Sequence, residues 1–181
     1  YEKVSISESG INAIRESNII LTNILARNEP VYGINTGFGI FADRTIDSCE
    51  RNLLSRNLIL SHAVATGQAL PEEVVRASML VRANALTKGF SGVRLEIIQT
   101  LVDMLNRCVT PVIPEQGSLG SSGDLSQLSH LALVFTTDEE DREENSGQAL
   151  YRGSLMSGKA AMQAAGISRV VLGPKEGLAL N

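Results

Sequence analysis

The sequence predicts an all-α fold. Two observations carry that reading. Apolar residues recur at helical spacing through most of the chain, and the segments that hold them are bounded by capping residues, prolines and glycines. Strand character is confined to residues 31–34 and 109–113, both short.

The elements follow in order. Ile11, Ile14, Leu21, Ile24 and Leu25 mark a first helix. Ser5 and Glu8 fit a capping box at its start. Asn28-Glu29-Pro30 ends it, because the residue before a proline disfavours helical geometry. Asp47 and Glu50 are expected to cap a second helix carrying Leu53, Leu54, Leu58 and His62. Pro71 suits the first turn of a third, with Glu72 and Glu73 at its positive end and Gly89 at its finish. Ser91 opens a fourth, whose apolar face is Ile97, Ile98, Leu101, Val102 and Leu105. Asp124 caps a fifth through Phe135, and a sixth is expected over residues 154–165, before Gly166. The acidic stretch 138–144 reads as a solvated loop. There is no repeat at a solenoid period.

Composition narrows the function classes. The 181 residues carry a net charge of −4 and no Trp, so neither a basic footprint nor a stacking surface points to nucleic acid. The longest apolar runs, such as 131–135, are too short to span a bilayer. Cys49 and Cys108 fit no metal-ligand spacing and are expected to be reduced and buried. A cytoplasmic protein is the expectation.

The most informative stretch is 117–124, with three Gly and three Ser in eight residues. Composition alone would suggest a flexible turn or linker. Its chemistry suggests more. In Ser121-Ser122-Gly123 the Gly123 nitrogen can approach the Ser121 carbonyl carbon. Attack there with loss of water closes a five-membered imidazolone, and loss of the Ser122 hydroxyl leaves an exocyclic methylidene. Glycine at the attacking nitrogen relieves crowding. Ser122 is indispensable, because its Cβ becomes the methylidene carbon, whereas the Ser121 side chain stays outside the ring.

The segment GSLGSSGDLSQLSHLAL resembles the signature of the aromatic amino acid ammonia-lyases and related aminomutases, whose self-made prosthetic group is methylidene-imidazolone (MIO). The usual frame is GSxGASGDLxPLxH. Ser121 stands where Ala is usual, which the ring chemistry tolerates. Gln127 stands where Pro is usual, a change expected to loosen the helix start behind the loop. Further segments resemble the family in family order: YGINTGFG at 32–39, NLILSHA at 57–63, KGFSGVR at 88–94 and KEGLAL at 175–180.

The resemblance implies the N-terminal helical domain of the fumarase/aspartase-like helical-bundle fold, with 1–181 as one MIO-bearing domain. It implies MIO from Ser121-Ser122-Gly123, no external cofactor, and Tyr32 as the base that removes the substrate β-proton. An ordinary phenol is a poor base near neutral pH, so that role needs a neighbouring cation or helix N-terminus. Gly39, Ser61, His62, Leu125 and Asn181 are implied substrate contacts. The Ser61-His62 pair resembles the histidine-specific members; Phe-Leu and His-Leu pairs resemble phenylalanine and tyrosine enzymes. An imidazole that both donates and accepts suits an imidazole substrate. Asn181 directly follows Leu180, one residue earlier than the family's active-site Asn.

The implied activity is conversion of L-histidine to trans-urocanate and ammonia by a homotetramer. Phenylalanine or tyrosine ammonia-lyase, or an aminomutase, is the related alternative, and a non-catalytic helical assembly fragment without a closed ring is the alternative of another class. Family members continue into a C-terminal helical bundle that supplies a carboxylate-binding Arg and a second Tyr. The chain is therefore expected to be the N-terminal portion, inactive alone and associating with the missing segment.

Other chemistries fit less well. Residues 37–42 match GxGxxA but lack a βαβ setting. The serines do not form GxSxG, and no Lys-Ser/Thr follows the glycines. His62 and His130 are far apart in sequence, which argues against a metal site and leaves His130 a structural role.

Overall fold

The computed structural model describes residues 2–27, 29–48, 50–119, 121 and 123–181. Its helices are α1 (Glu8–Ala26), α2 (Arg51–His62), α3 (Glu72–Thr87), α4 (Leu95–Arg107), α5 (Leu125–Phe135), α6 (Gly158–Ala164) and α7 (Glu176–Leu180). The strands are β1 (Thr66–Ala69), β2 (Val109–Pro111), β3 (Pro114–Gln116), β4 (Thr136–Thr137), β5 (Gln148–Tyr151), β6 (Ser154–Ser157) and β7 (Val170–Val171). Helix is the dominant element, as the periodicity predicts.

The core is centred on α4. Ile97, Ile98, Leu101, Val102, Met104 and Leu105 are all buried there. Met79 and Leu86 of α3, Ile59 of α2, Leu131 and Phe135 of α5 and Met162 of α6 complete the same cluster. Each such side chain contributes about 2 kcal/mol by leaving water.

Several ends differ from the sequence reading. Ser7, not Ser5, caps α1, accepting from the Gly10 N–H at 3.2 Å. Glu50 and Asp124 occupy cap positions of α2 and α5 without a side-chain capping bond. Residues 154–157 are strand β6, not helix, because Arg152 and Gly153 both take positive φ and turn the chain into a β5–β6 hairpin. The helix starts only at Gly158, with the Ser157 hydroxyl accepting from the Ala160 N–H. β2 joins that hairpin as an antiparallel neighbour, β1 pairs with β3, and β4 runs parallel to β7. Residues 31–34 form no strand; 32–35 are a turn.

The acidic stretch is not merely solvated. Asp141 faces Arg169 and Lys159, and Asp138 lies 3.8 Å from the buried Arg56. Arg169 also donates to the carbonyls of Leu133, Val134 and Thr136, so it caps the end of α5. Burial, then repulsion from Arg169, brings the Arg56 guanidinium down to about 10 against the opposing pull of Asp138 and Asp141.

One short helix ties the elements together. Glu176, in the first turn of α7, is 2% exposed and accepts from four donors: Arg94 Nε at 3.0 Å, Arg94 Nη2 at 2.7 Å, the Arg94 N–H at 2.9 Å and the Gly173 N–H at 2.6 Å. Lys175 Nζ donates to the Ser91 carbonyl at 2.6 Å. Gly177 lies so close to α2 that a Cβ would stand 2.2 Å from the Ser55 carbonyl oxygen. The family-like segments 88–94 and 175–180 therefore form one latch. Replacing Glu176 with Ala strips the half-exposed Arg94 guanidinium of its main partner and leaves the Arg94 and Gly173 backbone N–H groups without theirs. The expected loss is about 3 kcal/mol of unfolding free energy, measured by urea denaturation; a loss under about 1 kcal/mol would mean that the latch is dispensable.

Candidate active site

The last turn of α2 presents Ser61 and His62 to a hollow of about 230 Å³. Val64, Gly117, Leu119, Gly123, Leu125 and Ser126 form the rest of its lining. The structure thus brings together four residues singled out by sequence: Ser61, His62, Gly123 and Leu125.

The geometry fixes the imidazole's hydrogen bonding. His62 Nδ1 lies 2.9 Å from the Leu58 carbonyl oxygen, which can only accept, so Nδ1 carries the proton. Ser61 Oγ stands 3.0 Å from Nδ1 and donates to the same carbonyl. In the neutral imidazole that leaves His62 Nε2 as an acceptor, with no partner among the described residues.

Ser126 was not singled out by sequence. Its hydroxyl is buried in the hollow's wall and has no hydrogen-bond partner among the described residues. A serine in a helical first turn gives no sequence signal for this; only packing buries it.

The ring-forming triplet is partly described. Ser121 is exposed, and Ser122 lies outside the described residues, as does Cys49. Gly123 has φ +91°, a conformation that favours glycine, and open space where a Cβ would stand. The positive φ, rather than crowding by neighbouring atoms, is what calls for glycine at this position. The helix behind the loop is intact despite Gln127: the Leu128 N–H donates to the Asp124 carbonyl at 3.0 Å, and α5 begins at Leu125.

The remaining predicted residues lie outside the hollow. Tyr32 is 59% exposed and meets Phe38 edge-on at 6.2 Å, and its hydroxyl bonds no described residue. Its loop is well ordered by Asn35, which accepts from the Val31 N–H and donates to the Glu29 carbonyl. Gly39 opens an exposed 3-10 turn with φ +56°. Asn181 lies beside Ser129, with Nδ2 3.4 Å from Ser129 Oγ and a buried Oδ1 that has no partner among the described residues. Arg82 donates to the backbone oxygens of Leu180 and Asn181. Cys108 is a free thiol, exposed rather than buried, at the left-handed end of α4. No helix among the described residues is long and apolar enough to cross a membrane.

The aromatic amino acid lyase family model matches residues 1–181, and the chain belongs to that family. Histidine ammonia-lyase of Alkaliphilus oremlandii is 50% identical over 180 residues, covering 99% of this chain and 34% of the relative. Among solved structures, ergothionase from Treponema denticola superposes with a TM-score of 0.90 at 33% identity, over 99% of this chain and 34% of that one. Pantoea agglomerans phenylalanine aminomutase gives 0.89 at 34% identity, over 99% and 33%. The chain spans about a third of the length of the curated relatives it matches.

His130 fastens the wall of the hollow to α5. The Ala65 N–H donates to its Nε2 at 3.1 Å, and burial holds its pKa below the ordinary histidine value. A lowered folded-state pKa means that the unfolded chain binds the proton more readily. The contribution to stability is present above the unfolded pKa of about 6.5 and is lost as pH falls toward the folded value. The thermal midpoint is expected to drop as pH falls below about 6.5, and His130→Gln should flatten that slope. An unchanged slope in the variant would assign the acid sensitivity elsewhere.

Proposed function

We propose that this chain is the MIO-forming part of a histidine ammonia-lyase, a carbon–nitrogen lyase that converts L-histidine to trans-urocanate and ammonia. The observation that carries the reading is the shared hollow: the Ser61-His62 pair lines the same space as Gly123 and Leu125 of the ring-forming segment. The 50% identity to a histidine ammonia-lyase over nearly the whole chain supports the same substrate class.

In this reading His62 Nε2 accepts from the substrate imidazole N–H, with Nδ1 anchored on Leu58. Leu125 packs against the ring, Ser61 orients His62, and Gly39 and Asn181 contact the substrate from the flanking segments. Tyr32 removes the β-proton once cationic or dipolar neighbours favour its phenolate. The MIO ring from Ser121-Ser122-Gly123 supplies an electrophile that activates the amino group for departure. The segment 1–181 serves as a single domain of a cytoplasmic homotetramer, completed by a C-terminal portion that binds the carboxylate. Alone it lacks much of the orientation and charge complementarity that catalysis needs, so purified 1–181 should form no urocanate, followed by absorbance. Turnover matching a complete histidine lyase would overturn that point.

The likeness to an aminomutase structure favours a second reading, in which the product is a rearranged β-amino acid. Product analysis separates the two. Replacing Ser61-His62 with Phe-Leu should move preference from histidine toward phenylalanine; unchanged histidine preference would remove His62 from substrate recognition.

The ring itself is tested by intact mass. The complete enzyme should be lighter than its sequence by two waters, Ser121→Ala should keep that loss, and Ser122→Ala should abolish it. Equal masses relative to sequence in wild type and Ser122→Ala would leave a non-catalytic helical assembly protein as the better description.

A further inference from the structure

Gln127 departs from the family frame, and the structure gives it a task. Two backbone N–H groups face one terminal atom of its carboxamide, against a single carbonyl, that of Glu115, at 3.4 Å. That atom is therefore the oxygen. It accepts from the Gly117 N–H at 3.0 Å and the Ser118 N–H at 3.2 Å. A second, independent contact holds the same point. A Cβ on Gly117 would stand 2.9 Å from both the Ala65 Cβ and the Ser126 Cβ, so the backbone of Gly117 is pressed against the first turn of α5. Both ends of the loop are thus pinned to one helical turn: 117–118 through Gln127 and Ser126, and Asp124 through the Leu128 N–H.

We propose that Gln127 is a positioning residue for closure of the MIO ring, an inference that rests on the ring-forming reading above. Closure joins the Gly123 nitrogen to the Ser121 carbonyl carbon. That carbonyl oxygen departs as water with the Gly123 and Ser122 amide protons, which leaves a C=N bond. A second water takes the Ser122 hydroxyl and its Cα proton, which leaves the methylidene. No electrons are gained or lost. The difficult part is the compact backbone that brings nitrogen and carbonyl carbon into contact, and a loop with slack visits it rarely. A proline at 127 would stiffen only the helix start. The Gln127 carboxamide instead removes slack at the other end of the loop.

The test follows newly synthesised full-length polypeptide containing this segment by intact mass over time. Gln127→Leu removes the acceptor at similar size and faces a groove already lined by Val74, Val81, Ile113 and Leu131, so the fold should tolerate it. Gln127→Glu keeps an acceptor oxygen. Gln127→Leu is expected to lose its two waters roughly tenfold more slowly than wild type, with an unchanged circular dichroism spectrum, while Gln127→Glu stays near wild type. If Gln127→Leu fails to fold, Gln127→Asn, one methylene short of both N–H groups, takes its place with the same expected slowing. Equal rates in wild type and the folded non-accepting variant would overturn the proposal and leave the ring intact. A wild type that never loses water would overturn the ring reading and this proposal with it.

Discussion

The buried carboxylate of Glu176 is the constraint on which the arrangement depends. Arg94 grips it in the two-pronged geometry that makes guanidinium–carboxylate pairs both strong and directional. The Glu176 side chain is almost wholly out of water while Arg94 keeps 40% exposure, so the desolvation penalty falls mainly on the acid and is offset by four donors. Burial of that kind is tolerable only when every lone pair is engaged. The result is a five-residue helix held in a place that its own length could never secure.

From that helix the positions of separate segments follow. Gly177 brings α7 against Ser55 of α2, and Ser55 Oγ returns a hydrogen bond to the Gly173 carbonyl at 2.9 Å. Leu178 sits where a Cβ on Gly33 would be, which seats the Tyr32 loop on the same short helix. Arg82 of α3 holds the backbone beyond it. The α2 turn that carries Ser61 and His62 and the loop that carries Tyr32 are thus referenced to one latch. A second polar cluster does similar work behind α5, where Arg56 and Arg169 are shared among Thr136, Asn145 and Asp141. Two buried cations this close are stable only because the acidic stretch faces them.

Legibility in the sequence tracks how local each determinant is. The long amphipathic stripe of α4 and the start of α5 near Asp124 depend on neighbours a few residues away, and both were readable. The β5–β6 hairpin was missed because Leu155 and Met156 suit a helix as well as a strand; positive φ at Arg152, a residue without glycine's freedom, decided the matter. The acidic stretch looked solvated because its arginine partners lie far along the chain, at 56 and 169. Ser61, His62, Gly123 and Leu125 were readable through the family frame, and the hollow gathers them. Tyr32 and Gly39 were named by the same frame yet stand on an exposed loop, since the frame records residues and not what covers them. Ser126 and the Gln127 tie carry no local signal at all: one is a product of packing, the other of a side chain reaching back ten residues to Gly117.

This division bears on specificity. Structures bearing the names of an ergothionase and an aminomutase superpose on this chain almost equally well, so the shared backbone does not by itself tell such proteins apart. On the proposed lyase reading, discrimination falls to polar atoms that have no partner among the described residues where the backbone has already been fixed. His62 Nε2 is one, free because the Leu58 carbonyl has claimed the proton on Nδ1. An apolar aromatic ring covering Nε2 would leave that acceptor unsatisfied, at a cost of up to about 1–3 kcal/mol. An imidazole ring, with one donor and one acceptor, can meet such groups. Discrimination of this kind is strong because it penalises the wrong ligand rather than merely rewarding the right one.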